Sequence, residues 1–207
     1  MKKTKEKILR TAHRLFNEQG VAQVSLRQIA AAIPISHTNL IYHFPNQQAI
    51  IAALHEEILA EALRLNQEVQ GESHVLKALF QSARLGFKVL YDYRFFMLDL
   101  NLIMRADPVL KEKFVQIEQL RAQMYQEVID RAVQEKLLRE ADHPGMWADL
   151  IQHIRIYSDY WLASAEIYDS RKPAAVIADH ARLLMGLFYP YLTRKGKEDW
   201  EEMMKAA

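Results

Sequence analysis

The chain has 207 residues, half of them hydrophobic and 26% charged, with six glycines, six prolines and no cysteine. The missing cysteines exclude disulfides, thiolate metal sites and cysteine nucleophiles and fit a reducing, cytoplasmic setting, while the sparse glycine and proline predict a mostly helical protein. A net charge of +1 conceals a division, because residues 1–47 carry seven lysines and arginines against two glutamates.

The first helix is expected from about Thr4 to Gln19, with Ile8, Leu9, Ala12, Leu15 and Phe16 on one stripe, and Gly20 ends it. Ser25 and Gln28 have the spacing of a capping box at the start of a second helix, and Val24 and Ile29 that of a hydrophobic staple. Pro34 ends that helix, and Ser36 caps a third, with Ile35 and Leu40 as its staple. Two short capped helices joined by a tight turn, beside a basic first helix, make a helix-turn-helix that presents its last member to the major groove of DNA.

Pro45 breaks the pattern, and a long fourth helix follows from Gln47 to about Val69. Later helices are expected at 73–91, 95–105, 108–138, 146–169 and 173–192, with a polar tail from Thr193 that frays. The charged N-terminus is unlike a signal peptide. The longest apolar run, Leu183–Leu192, is far shorter than the roughly 20 residues a bilayer requires, so no membrane partner is expected.

The span KEKILRTAHRLFNEQGVAQVSLRQIA…SHTNLIYHF resembles the N-terminal domain of the TetR family of bacterial transcriptional regulators. The resemblance lies in the ILxxAxxLFxxxG first helix, the SLxxIA second helix, the Ser-capped third helix and the closing HF, within residues 5–54. It implies an all-α fold, with a three-helix DNA-binding domain over residues 1–46 and a larger helical domain over 47–207 for ligand binding and dimerisation. The helix at 47–69 would connect the two. Three positions depart from the family pattern. Pro34 stands where glycine is usual, and proline is expected to send the turn along a path without positive φ. Ile41 replaces a tyrosine, and Gln47 replaces a phosphate-anchoring lysine.

Carried over position by position, the resemblance puts His37, Thr38 and Asn39 against base edges, where asparagine can pair with adenine and threonine can contact a thymine methyl. Ser36 caps this helix, and Tyr42, His43 and Gln47 would meet the backbone. Ser25, Arg27 and Gln28 would contact phosphate, and Lys2, Lys3, Lys5 and Lys7 would form an arm over the DNA. The expected partners are a palindromic double-stranded operator, a second copy of the chain and a small-molecule effector. A homodimer would place its readers about 34–36 Å apart. Its interface is expected on the last two long helices, at Trp147, Ile154, Trp161, Ile177, Leu184 and Phe188. The candidate lining of an effector chamber is Tyr91, Phe95, Phe96, Met104, Phe114, Tyr125 and Trp161, which suits an apolar or amphipathic molecule.

The resulting expectation is a repressor released from its operator by such a ligand. An enzyme is not expected, because the eight histidines form no HExxH, and glycine-rich phosphate loops and G-x-S-x-G are absent. No metal or cofactor is expected. The alternative is a helix-turn-helix scaffold that has lost DNA and serves as a protein–protein adaptor, although its basic first helix argues against it.

Overall fold

α1 (Lys2–Gln19) buries Ile8, Leu9, Ala12, Leu15 and Phe16, the stripe that a 3.6-residue period places on one face. It stops at Gly20, whose φ of 79° costs little without a Cβ. One 3-10 turn (Val21–Gln23) leads to α2 (Leu26–Ala32), α3 (His37–His43) and α4 (Gln47–Val69). The computed structural model describes residues 2–69 and 71–205; the side chain of Lys2, one of the arm lysines, lies outside the described part. α2 starts with a complete capping box, in which Gln28 N–H donates to Ser25 Oγ at 3.3 Å and Ser25 N–H to Gln28 Oε1 at 2.7 Å. Ser36 Oγ caps α3 by accepting from Asn39 N–H at 3.1 Å. Each cap contributes about 1 kcal/mol to a helix too short to persist alone. Between them Pro34 lies in the turn that ends α2, where the Ile35 N–H donates to the Ala30 carbonyl at 3.3 Å.

The chain divides into two compact units, Met1–Leu63 with Val89–Lys113, and Arg64–Lys88 with Phe114–Ala207. The first contains α1–α3, most of α4, the end of α5 (Val75–Asp92), α6 (Arg94–Leu98), α7 (Leu100–Ala106) and the start of α8 (Pro108–Gln134). Its core includes Ile8, Phe16, Ile29, Leu40, Ile50, Leu54, Phe95 and Phe96. Burying side chains of this size stabilises by about 1.5–3 kcal/mol each, and Phe16→Ala, which empties a site in contact with Phe95, would cost about 3–5. His55 lies flat on Phe96, 5.0 Å between ring centres, and burial pushes its pKa below the usual histidine value.

The second unit holds most of α5 and α8, with α9 (Met146–Tyr168), α10 (Pro173–Gly186) and α11 (Arg194–Lys205). Leu76, Ile129, Leu137, Ile154, Trp161, Leu184 and Phe188 are buried in it. Among the described residues the only bridge outside helices pairs Leu138 with Leu192, so the fold is all-α. No described helix is long and apolar enough to cross a membrane.

Several boundaries differ from expectation. The helix expected at 95–105 is broken at Asp99 into α6 and α7. The one expected to reach Leu138 ends at Gln134, and Lys136 at φ 58° turns the chain so that Leu138 can pair with Leu192. α10 stops at Gly186 and is followed by a 3-10 turn, Tyr189–Tyr191. The tail expected to fray forms α11, whose Trp200 is buried. A Cβ on Gly196 would stand 2.1 Å from the Leu137 carbonyl oxygen, so only glycine lets this helix approach so closely.

Candidate nucleic-acid interface

The outward face of α3 is polar and open. Thr38 and Asn39 are exposed, Tyr42 is 73% exposed, and His37 and His43 are half-buried. Leu40, on the opposite face, is fully buried and fixes the rotation of the helix. Thr4, Ser36, Thr38, Asn39, Tyr42 and His43 border one open hollow, so the start of α1 lies beside the outward face of α3. Thr4 was not singled out from the sequence, since nothing local marks it. The Tyr42 and His43 rings meet edge to face, 5.3 Å between centres. Lys5 places its ammonium 5.3 Å from the Phe44 ring centre, which holds one arm lysine against the end of α3. Lys3 and Lys7 are exposed.

Arg27 is exposed on α2. Ser25 and Gln28 are also exposed, but their side chains bond to each other in the capping box. Gln47 is drawn inward, where its Nε2 donates to the carbonyls of Val21 at 2.9 Å and Val24 at 2.7 Å. Both amide hydrogens are engaged, which leaves no side-chain donor for phosphate.

Polar ties within the same unit hold this reader. Asn17 on α1 donates to the Asp92 carbonyl at 2.7 Å, and its Oδ1 accepts from Phe95 N–H at 3.0 Å. His13 stacks on Tyr93 at 4.3 Å with its Nε2 2.7 Å from the Asp92 carbonyl. Val21 N–H donates to Asp99 at 2.7 Å. These ties join residues far apart in sequence, and no sequence pattern announces them.

The candidate chamber residues are not gathered in one unit. Tyr91, Phe95, Phe96 and Met104 belong to the first, and Phe114, Tyr125 and Trp161 to the second. Phe95 and Phe96 are core residues, packed on Phe16 and His55. Trp161 stacks on Phe87 at 4.6 Å and meets His180 at 5.0 Å. Beside it in sequence, Ser158 Oγ and Asp159 Oδ1 are buried without a hydrogen-bond partner, as is Trp161 Nε1. Burial pushes the Asp159 carboxyl up to about 6, helped by Glu118 and opposed by Arg121 and Arg155.

Of the candidate interface residues, Ile154, Trp161, Leu184 and Phe188 are at most 2% exposed within the single chain. Their apolar surface is already covered. Trp147 and Ile177 are half-buried, with Trp147 against Tyr191. The large exposed apolar side chains of α9 and α10 are Ile156, Tyr160, Ile167, Tyr168 and Leu183, and helical periodicity alone did not separate these from the core.

A three-helix reader with a polar outward helix, joined to a larger helical unit, is the arrangement of a helix-turn-helix DNA-binding protein. Residues 8–54 match the model of bacterial regulatory proteins of the tetR family, and residues 54–200 match that of the TetR bacterial transcriptional repressor; the chain belongs to the TetR family. It is 25% identical over 147 residues to the HTH-type transcriptional repressor AcnR of Corynebacterium glutamicum, 71% of each chain. It is 33% identical over 89 residues to the HTH-type transcriptional regulator RutR of Escherichia coli, 43% of this chain and 42% of that one. A TetR-family regulator from Marinobacter aquaeolei superposes with a TM-score of 0.85 at 21% identity, over 98% of both chains. A transcriptional regulator from Saccharomonospora viridis in complex with choline does so with 0.78 at 17% identity, over 94% of this chain and 100% of that one. The protein is a DNA-binding transcriptional regulator.

Proposed function

We propose that the protein is a homodimeric, cytoplasmic repressor that holds a palindromic operator and releases it when a small amphipathic effector binds. Residues 1–46 are the DNA-binding domain, and 47–207 the ligand-binding and dimerisation domain with 47–69 as connector. The observation that carries this reading is the open polar face of α3 beside the basic start of α1. Thr38 and Asn39 face bases, and asparagine supplies the paired donor and acceptor that adenine presents in the major groove. His37 flanks them, Tyr42 and His43 meet the sugar-phosphate backbone, and Arg27, Lys3 and Lys5 supply charge. Gln47 serves as a tie of the reader, not a phosphate donor.

The dimer face is the exposed part of α9 and α10, with Ile156, Tyr160, Ile167 and Leu183 taking the role expected of the buried residues. The effector site lies in the second unit near Trp161. The stacked Phe87 and Trp161 rings, with the orphaned Ser158 Oγ and Asp159 Oδ1 next to Trp161 in sequence, favour a ligand with an apolar body and a polar group. No catalytic step is assigned to any residue.

Selection of random duplex DNA at near-physiological salt tests the reading, with wild type, Asn39→Ala and Tyr42→Phe. The expected result is an enriched palindrome. Asn39→Ala relaxes one base position per half-site, about 1–3 kcal/mol, and Tyr42→Phe weakens binding evenly across sequences. Failure to enrich any sequence, even at low salt, overturns the proposal.

A further inference from the structure

The 3-10 turn after α1, the first turns of α4 and the α7–α8 corner enclose a cavity of about 150 Å³ within the first unit. Val21, Ile51, Ile103, Ala106 and Leu110 give it a mainly aliphatic wall, and Gln48 and Asp107 add polar groups. Leu102 and Ala106 are exposed at its edge, so it has a mouth to solvent. A cavity of this size lined by aliphatic side chains holds little attraction for water and accommodates one benzene-sized ring. Its position matters more than its size. Val21 is held on both sides, its N–H by Asp99 and its carbonyl by Gln47, and both Val21 and Gln47 line the cavity.

We propose that this cavity is a binding site for a compact molecule of phenol type, a single apolar ring with one hydrogen-bonding group. It is independent of the effector site in the second unit. The ring fills the aliphatic pocket, and its polar group bonds at Gln48 or Asp107. An occupant there touches the residues that fix the link between α1 and α2, so it biases the angle of the reader to the extent that it fits one arrangement better than another.

The test is titration of the full chain with 4-fluorophenol, followed by fluorine NMR, in the wild type, Ala106→Phe and Val109→Phe. Ala106→Phe puts a ring into the mouth, whereas Val109, 66% exposed, is not in the lining. Saturable one-site binding is expected in the wild type and Val109→Phe, at least about tenfold weaker in Ala106→Phe. At about ten times Kd the wild type gains about 3 °C in Tm, and exchange of the Val21 N–H slows. Nuclear Overhauser contacts in the wild type should reach the methyls of Ile51, Ile103 and Leu110, which decides the matter if Ala106→Phe does not fold. No saturable binding, undiminished binding in a folded Ala106→Phe, or contacts only to other methyls overturns the proposal. Operator selection does not depend on this result, so the two readings fail separately.

Discussion

The peptide N–H of Val21 donates to Oδ2 of Asp99 at 2.7 Å across 78 positions of sequence. This bond fastens the end of α1 to the α6–α7 corner. Val21 is only 4% exposed, so Asp99→Ala leaves its N–H buried and unpaired, at a cost of about 1–3 kcal/mol. Equilibrium unfolding should register that loss, and operator affinity should fall with it. Asp99→Asn keeps an acceptor and should lose less than half as much. Equal loss in both variants would show that the carboxylate charge, not the acceptor, holds the junction.

Gln47→Lys exchanges structure for charge. Losing the bonds to Val21 and Val24 should cost about 2 kcal/mol, near 1 for each. The new cation should add one phosphate contact per protomer, steepening the log Kd against log salt slope by about 0.9 each. An unchanged slope would place this position away from the DNA backbone.

Asp159 predicts a pH dependence of opposite sign to that of a salt-bridged carboxylate. Burial raises its folded pKa to about 6, so the folded protein takes up its proton before the unfolded chain does. Stability from this group is present at low pH and is lost as pH rises from about 4 to about 6. Asp159→Asn should therefore gain about 1–2 kcal/mol at pH 7, after allowance for partial exposure, and nothing below about pH 4. Denaturant melts at pH 4 and pH 7 measure the difference.

Ile156→Glu, on the exposed face of α9, should separate the proposed dimer in analytical ultracentrifugation while each chain stays folded. Ile154→Ala removes a buried side chain instead, and should cost about 2–5 kcal/mol of folding stability. A dimer that survives Ile156→Glu places the interface elsewhere.

The reader was legible in the sequence because its determinants are local. Ser25–Gln28 and Ser36–Asn39 are caps between residues three apart, and spacing alone reveals them. The break at Asp99 was not legible, since no glycine or proline marks it and its carboxylate answers to a distant N–H. α11 was hidden for the same reason. Its polar residues look like a tail until Gly196 is seen against Leu137 and Trp200 in the core. Periodicity likewise put Ile154 and Ile156 on the same helix without telling which faces inward.

α2 and α3 have seven residues each, and they are held by inward side chains, two caps and buried ties such as Gln47. Arg27, Thr38, Asn39 and Tyr42 stand outside that arrangement. The stability of the reader is therefore nearly blind to what it reads. Descendants of this chain can drift to new operators one outward side chain at a time without passing through an unfolded ancestor.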